Sequence, residues 1–220
     1  MSKEPMDALE LLYTTRAMRR LSPEPIDDET VAKLLDAAVR GPSGGNRMRV
    51  RFLVMRDPAR KAEAQKLYVA GMKALYSQPA PAPDPNDPAG LPNPAAVKSA
   101  PWLMEHLAEV PVLIYVLGQP GFGSTSFPLA WHLCLAARAM GLGSTFTTAM
   151  RMRQEETDAF LGIPQGSGWE FHAMIPIGHP LGTWGLAKRP AAQSFAYDET
   201  FGTPVTWTID EPAWQPPPAR

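Results

Sequence analysis

Residues 127–140, FPLAWHLCLAARAM, are the stretch that decides the fold class of this chain. Apolar residues occupy most faces of a helix with this sequence, and such a helix is buried in a core or at a subunit interface. Val110–Leu117 precedes it, is rich in β-branched residues and predicts a buried strand. Gly141-Leu142-Gly143 follows and predicts the end of the helix. The chain therefore combines buried helices with buried strands.

The flanking segments change irregularly between helical and extended patterns. Further helices are predicted at 7–15, from an N-cap at Asp27 to Gly41-Pro42, at 58–76, at 101–107 with Pro101 in the first turn, and at 154–161. Further strands are predicted at 50–55 with Val50, Phe52 and Val54 on one face, at 144–148, at 171–177 and at 205–209. Because strands and helices do not alternate strictly, the sequence predicts an α+β fold.

Composition narrows the class of protein. A chain of 220 residues with 45% hydrophobic content suits a single domain, 1–220. The formal net charge of −1 argues against a nucleic-acid partner, which requires a broad basic face. The one cysteine, Cys134, excludes an intrachain disulfide and favours the cytoplasm. Residues 1–7 have no apolar signal core, and no apolar run reaches membrane-spanning length, so we expect no membrane partner.

Proline residues concentrate in two regions of the chain. Residues 77–101 form a proline-rich excursion, and a loop of this length inside a domain is often a lid or a subunit contact. Residues 200–220 are predicted to form an extended C-terminal arm, which we expect to lie across a partner subunit.

A basic cluster lies between the first two predicted helices. Arg16, Arg19 and Arg20 fall within five residues and can neutralise a phosphate. The same residues also suit the solvated C-terminal end of a helix, where cations are favoured. The spacing alone leaves both interpretations open.

A glycine-rich turn, Gly41-Pro-Ser-Gly-Gly-Asn46, follows the second predicted helix. Gly41 alone is enough to end a helix, whereas the further glycines allow the backbone N–H groups to approach a ligand closely. The turn matches the Gly-x-Ser-x-Gly pattern of hydrolase nucleophiles. That pattern requires a strand before the turn and a helix after it, and here the order is reversed.

The sequence evidence for other functional sites is weaker. Residues 118–126 have the position of a dinucleotide-binding turn, but the third glycine and the acidic residue beyond it are absent. The four histidines do not have the spacing of metal ligands, so no metal is expected. Cys134 lies among apolar residues and is interpreted as a packed thiol. If the protein is an enzyme, a cofactor carries the chemistry.

Four segments together resemble the FMN-dependent nitroreductase superfamily. They are Thr15–Leu21, Ala38–Asn46, Ala136–Gly143, and Ile175–Pro180 followed by Lys188-Arg189-Pro190. The resemblance implies a nitroreductase-like, largely antiparallel mixed sheet wrapped by helices, in an intertwined homodimer with two FMN sites at the subunit interface.

The resemblance also implies a set of cofactor-binding residues. Arg16 and Arg19, with Ala17 and Met18 between them, would hold the FMN phosphate together with Lys188 and Arg189. Pro42, Ser43, Gly44 and Asn46 would come from the other subunit. Phe146, Thr147, Thr148 and Ala149 would line the isoalloxazine, with the Thr148 N–H near flavin N5. No side chain is assigned as catalytic, because flavin N5 carries the chemistry.

The activity implied by the resemblance is hydride transfer from NAD(P)H through FMN to a small acceptor: a nitroaromatic, a quinone or an activated alkene. Alternatives are dehalogenation, flavin fragmentation, deazaflavin-linked reduction, or flavin binding without turnover. Arg47 and Arg49 follow the glycine-rich turn and, if they border the pocket, favour an anionic acceptor or donor. The alternative interpretation is that they are solvated strand residues.

Overall fold

A central antiparallel sheet organises the computed structural model, which describes residues 6–79, 94–186 and 189–216. Its strands are β1 (Leu21–Ser22), β2 (Val50–Met55), β3 (Val112–Gly118), β4 (Gly143–Ser144) and β5 (Glu170–Pro180). They follow the order β1-β5-β3-β2, and β4 also pairs with β5. Each of these pairings is antiparallel. The α+β prediction with a largely antiparallel sheet is confirmed.

Six helices surround this sheet in the described part of the chain. They are α1 (Ala8–Thr14), α2 (Asp28–Ala38), α3 (Pro58–Tyr76), α4 (Pro94–His106), α5 (Gly123–Ala139) and α6 (Gln154–Leu161). The carboxylates of Asp7, Asp27 and Asp57 accept N–H groups in the first turns of α1, α2 and α3. These caps satisfy N–H groups that have no partner within the helix and fix where each helix begins.

Each face of the sheet carries its own hydrophobic core. On one face, β3 and β5 pack against α2 and α5 through fully buried residues such as Ile114, Leu34 and Leu129. On the other face, Tyr115 and Met174 pack against side chains of α3 and α4 such as Tyr68 and Leu103. Because both faces are covered, β3 is apolar at every position but its last and lacks polar alternation.

Helix α5 contains the stretch from which the fold class was predicted. Leu129, Leu133 and Ala137 are fully buried in the first core, and Cys134 is buried among them, as predicted. Burial raises the pKa of the Cys134 thiol to about 11. Trp131, on another face of the helix, is 41% exposed. The helix therefore contributes to a core and also presents an apolar surface.

Several predicted boundaries were wrong. Helix α4 begins at Pro94, so Pro101 lies in its interior rather than its first turn. Helix α5 begins at Gly123, because the Phe122 carbonyl accepts the N–H groups of Thr125 and Ser126. The predicted 144–148 strand shortens to β4 plus an isolated pairing of Thr147 with Met174.

Three further differences concern strands. Residues 205–209 are not a strand, since the nearest pairing is a single bridge between Tyr197 and Pro204. Strand β1 was not predicted, because two residues carry no detectable alternation. In β2, Val50 and Phe52 face the first core as predicted, whereas Val54 is 37% exposed.

Parts of the proline-rich regions lie outside the described residues, namely 80–93 of the excursion and 217–220 of the arm. The described arm is largely exposed and contains Phe201 and Trp207 on its surface. Near its end, the N–H of Ala213 donates to Tyr13 Oη of the same chain at 3.2 Å.

Candidate functional site

The arginine cluster lies in the extended connection between α1 and β1. The Met18 N–H donates to the Ser144 carbonyl at 2.8 Å, which fixes this connection against β4. The Met18 side chain is buried in the second core. Residues on either side of Met18 are consequently held beside the segment that follows β4.

Arg16 has an incomplete set of hydrogen-bond partners. Its Nη2 donates to the Thr183 carbonyl at 2.7 Å. Its Nε is buried and has no partner among the residues that the structure describes. A buried guanidinium N–H without an acceptor is costly, so an anion at this position would satisfy it. Arg19 lies nearby in the chain and donates from Nη1 to Ser99 Oγ at 3.1 Å.

Arg138 anchors the elements around Arg16. Its Nε donates to Thr14 Oγ1 at 2.9 Å, and its Nη2 lies 3.1 Å from Glu10 Oε1. The same guanidinium lies over the ring of Trp184, 4.3 Å from the centroid. Trp184 follows Thr183, the acceptor of Arg16. Arg138 thus joins α1, α5 and the segment after β5.

The late basic pair is only partly described. Lys188 lies outside the described residues, and Arg189 is exposed. Ala17 is also exposed, between the half-buried Arg16 and the buried Met18.

The segment Phe146–Ala149 connects β4 to the 3₁₀ segment Ala149–Arg153. Thr147 exchanges backbone hydrogen bonds with Met174 of β5, and the Phe146 ring packs edge-on to Phe127 at 5.8 Å. Ala149 is buried against α3. The neighbouring Thr145 was not predicted as a site residue, although its Oγ1 is buried and unpaired within the described part of the chain.

A cavity of about 420 Å³ opens beside this segment. Thr148 and Ala149 line it together with Arg151 and Glu170, and Leu75 and Met152 supply apolar surface. The predicted isoalloxazine segment therefore borders a space large enough for a small molecule.

Glu170 belongs to a buried hydrogen-bonded chain that sequence analysis did not find. Glu170 Oε1 lies 3.0 Å from His172 Nε2, and His172 Nδ1 lies 2.5 Å from Ser126 Oγ. Burial is the main reason that the pKa of His172 is lowered. Ser126 and His172 are 46 residues apart in sequence, so no local pattern could reveal their contact.

The glycine-rich turn is exposed except at the half-buried Gly41 and Ser43, and it forms a short 3₁₀ segment, Gly44–Asn46. Gly45 and Asn46 adopt φ values of 61° and 53°. This left-handed conformation costs little for glycine and is tolerated by asparagine. The Gly44 N–H donates to Thr125 Oγ1 at 3.4 Å, which places the turn at the first turn of α5.

Helix α5 separates the turn from the arginine cluster. Thr125 contacts the turn near the start of the helix, whereas Arg138 contacts α1 near its end. The two residues are 13 positions apart on this α-helix, a rise of about 20 Å. One phosphate therefore cannot contact both motifs of the same chain.

Two arginines after the turn, Arg49 and Arg51, are stacked on aromatic rings. The Arg49 guanidinium lies 4.0 Å from the centroid of Phe122, and that of Arg51 lies 4.5 Å from the centroid of Trp169. Arg47 is exposed. Neither Arg47 nor Arg49 is among the described residues that line the cavity.

No group of three or more His, Cys, Asp or Glu side chains among the described residues could hold a metal ion. Among the same residues, every helix is too short or too polar to span a membrane.

Comparison with known proteins relates this arrangement to one family. The sequence model of the Nitroreductase family matches residues 12–179. A protein of Archaeoglobus fulgidus, provisionally named an NADH dehydrogenase/NAD(P)H nitroreductase, is 27% identical over 177 residues, covering 79% of this chain and 86% of that protein. The 5,6-dimethylbenzimidazole synthase of Rhodospirillum rubrum is 31% identical over 193 residues, covering 79% of this chain and 82% of the synthase.

A solved structure supports the fold. The crystal structure of a nitroreductase with bound FMN from Desulfitobacterium hafniense aligns with a TM-score of 0.62 at 21% identity. The alignment covers 88% of this chain and 100% of that chain.

Proposed function

The chain belongs to the nitroreductase family, and on that premise we propose that it is an FMN-dependent oxidoreductase acting with NAD(P)H on a small organic acceptor. The bound flavin supplies redox chemistry, which is hydride transfer from NAD(P)H to a nitroaromatic, a quinone or an activated alkene. The protein supplies binding, orientation and electrostatic complementarity.

The observation that carries this proposal is the buried Nε of Arg16, which has no hydrogen-bond partner in the described part of the chain. Arg16 and Arg19 lie on the two sides of Met18 in the sequence. The Met18 N–H donates to the carbonyl of Ser144, the last residue of β4, which precedes Thr145–Ala149. A cofactor with a phosphate at one end and a flat ring system at the other fits these two neighbouring segments. Arg16 and Arg19 hold the phosphate through charge-assisted hydrogen bonds, with Lys188 and Arg189 as further cations. Phe146, Thr147, Thr148 and Ala149 line the ring.

The separation along α5 supports a site shared between two chains. Pro42, Ser43, Gly44 and Asn46 of one subunit reach the cofactor held by Arg16 and Arg19 of the other. Exposed apolar side chains supply a surface that a second copy can cover, including Leu12 on α1, Trp131 on α5, and Phe201 and Trp207 on the arm. The active form is therefore a homodimer.

FMN binding tests the proposal directly. Purified protein is yellow and releases FMN on denaturation. In a fluorescence titration of FMN-free protein, Arg16→Ala raises the dissociation constant of FMN about tenfold to a hundredfold, because a charge-assisted contact to phosphate is lost. Arg20→Ala is the matched control, since Arg20 is exposed and outside the proposed site.

Equal FMN affinity in the wild type and Arg16→Ala would contradict the phosphate site. A protein that takes up no FMN would contradict the proposed function itself. A screen of nitroaromatics, quinones and activated alkenes with NADH and with NADPH then identifies the acceptor and the donor.

Flavin fragmentation is a second candidate, because the Rhodospirillum rubrum synthase is 31% identical to this chain. Its product, 5,6-dimethylbenzimidazole, shares a dimethyl-substituted benzene ring with the isoalloxazine of FMN. Aerobic incubation with FMN and NADPH distinguishes the candidates. The fragmentation candidate requires loss of flavin absorbance and appearance of 5,6-dimethylbenzimidazole by mass spectrometry, whereas the oxidoreductase leaves FMN intact.

A further inference from the structure

Glu170 is held in a fixed position at the wall of the cavity. It is the first residue of β5 and pairs in register with Gly118, the last residue of β3. Phe171, the next residue, donates its N–H to Asp158 Oδ1 at 2.7 Å. The backbone that carries the Glu170 carboxylate is therefore fixed by the sheet on one side and by α6 on the other.

His172 fixes the carboxylate itself. Its ring is 2% exposed and lies where a side chain on Gly118 would stand, since a Cβ built there would be 2.4 Å from the ring. Phe127 closes another side of the ring, with centroids 5.7 Å apart. The imidazole can therefore neither rotate freely nor move away from Glu170.

The Glu170 carboxylate determines which nitrogen of His172 carries the proton. An ionised carboxylate can only accept hydrogen bonds, so His172 Nε2 donates to Glu170 Oε1. Burial lowers the pKa of His172 and keeps the ring neutral, so Nδ1 is unprotonated and accepts from the Ser126 hydroxyl. The chain of donors runs from Ser126 to His172 to Glu170.

The same three residue types form the triad of serine hydrolases, but the burial here excludes that role. A nucleophilic serine must meet a substrate carbonyl. Ser126 has no exposed surface, and it is Glu170 rather than Ser126 that borders the cavity. The chain of donors therefore ends at the carboxylate of a residue that lines the cavity.

We propose that Glu170 is the specificity-determining residue of the cavity. Its second carboxylate oxygen binds a hydroxyl or amino group of the acceptor substrate, and His172 and Ser126 are positioning residues. This inference rests on the proposed function. Glu170 is the only carboxylate among the described residues that line the cavity, and Arg151 is the only cation there. The two opposite charges favour acceptors that are neutral overall and carry a hydrogen-bond donor.

A pair of ligands that differ by one hydrogen-bond donor tests this assignment. Dissociation constants of 4-nitrobenzyl alcohol and its methyl ether are measured on the FMN-loaded full chain by calorimetry, without NAD(P)H, so that no turnover occurs. The wild type binds the alcohol about tenfold more tightly than the ether, because only the alcohol donates to a carboxylate. Equal affinities in the wild type would overturn the proposal without any variant.

Variants then test which residue causes the preference for the alcohol. Glu170→Gln reduces it to about twofold or less, Glu170→Asp retains part of it, and Ser126→Ala reduces it by an intermediate factor. Glu155→Gln removes the same charge from an exposed position outside the cavity lining and leaves the preference unchanged. A tenfold preference that survives in Glu170→Gln overturns the assignment.

The flavin content of each preparation separates the two proposals. Protein that takes up no FMN overturns the proposed function. FMN-loaded protein that lacks the preference overturns only the role of Glu170.

Discussion

At the scale of single residues, Arg138 shows how one buried charge joins the elements around Arg16. Its side chain is 6% exposed, donates a hydrogen bond to Thr14, pairs with Glu10 and lies over the Trp184 ring. It also lies in the last turn of α5, where a cation is favoured by the helix dipole. Through Trp184 it holds the segment whose Thr183 carbonyl binds Arg16.

We expect Arg138→Met to lower the free energy of unfolding by about 2 kcal/mol, because a desolvated, hydrogen-bonded charge is removed from several partners at once. Chemical denaturation of the FMN-free protein measures this. Arg40→Met is the matched control, since the Arg40–Asp36 pair is more than two-thirds exposed on both sides and contributes at most about 0.5 kcal/mol. Equal losses in the two variants would contradict the anchoring role.

At the scale of elements, the packing of α3 on the 3₁₀ segment Ala149–Arg153 positions the cavity. Gly71 permits this close approach, because a Cβ there would lie 2.4 Å from the Ala149 carbonyl oxygen and 3.1 Å from Met150 Cα. Both are backbone atoms that cannot rotate away. Ala149 itself lines the cavity, so the spacing of these two elements sets the shape of the cavity.

We therefore expect Gly71→Ala to lower the stability of the protein, which is the reverse of the usual effect of Gly→Ala in a helix. In a helix interior, Gly→Ala normally stabilises by roughly 0.5–1 kcal/mol. Here we expect a destabilisation of about 1–3 kcal/mol from overpacking, together with weaker FMN binding. Thermal and chemical denaturation test it, with Glu63→Ala at an exposed site on α3 as the control. A Gly71→Ala protein more stable than the wild type would refute the close-packing argument.

At the scale of the whole molecule, the arginine cluster and the glycine-rich turn lie on opposite ends of α5. On the proposed function, a site that uses both motifs is formed by two chains. Two variants, each defective in one motif, can then complement each other. In a mixed dimer of Arg16→Ala/Arg19→Ala and Ser43→Ala/Asn46→Ala chains, one site contains both intact motifs and the other contains both defects.

We expect co-expression of the two variants, with a different affinity tag on each, to give a mixed dimer that binds about one FMN, whereas each variant alone binds little. Absorbance of the doubly purified dimer measures the stoichiometry. Absence of recovery in a mixed dimer that is shown to form would place both motifs at a site within one chain.

Truncation after Asp210 tests the arm separately, and unchanged dimerisation and melting temperature would contradict its predicted contact with a partner.

The sequence by itself determined the elements whose signals are local. Periodicity and capping residues defined α2, α3, α6 and β2 to within a residue or two, since each depends on side chains a few positions apart. The family motifs predicted the fold and indicated which residues are candidates for cofactor binding. Only the tertiary structure decided which distant groups meet: Arg138 with α1, His172 with Ser126, and Gly71 with Ala149. Those contacts depend on how the sheet and its two helical layers pack, and packing leaves no pattern within any single segment.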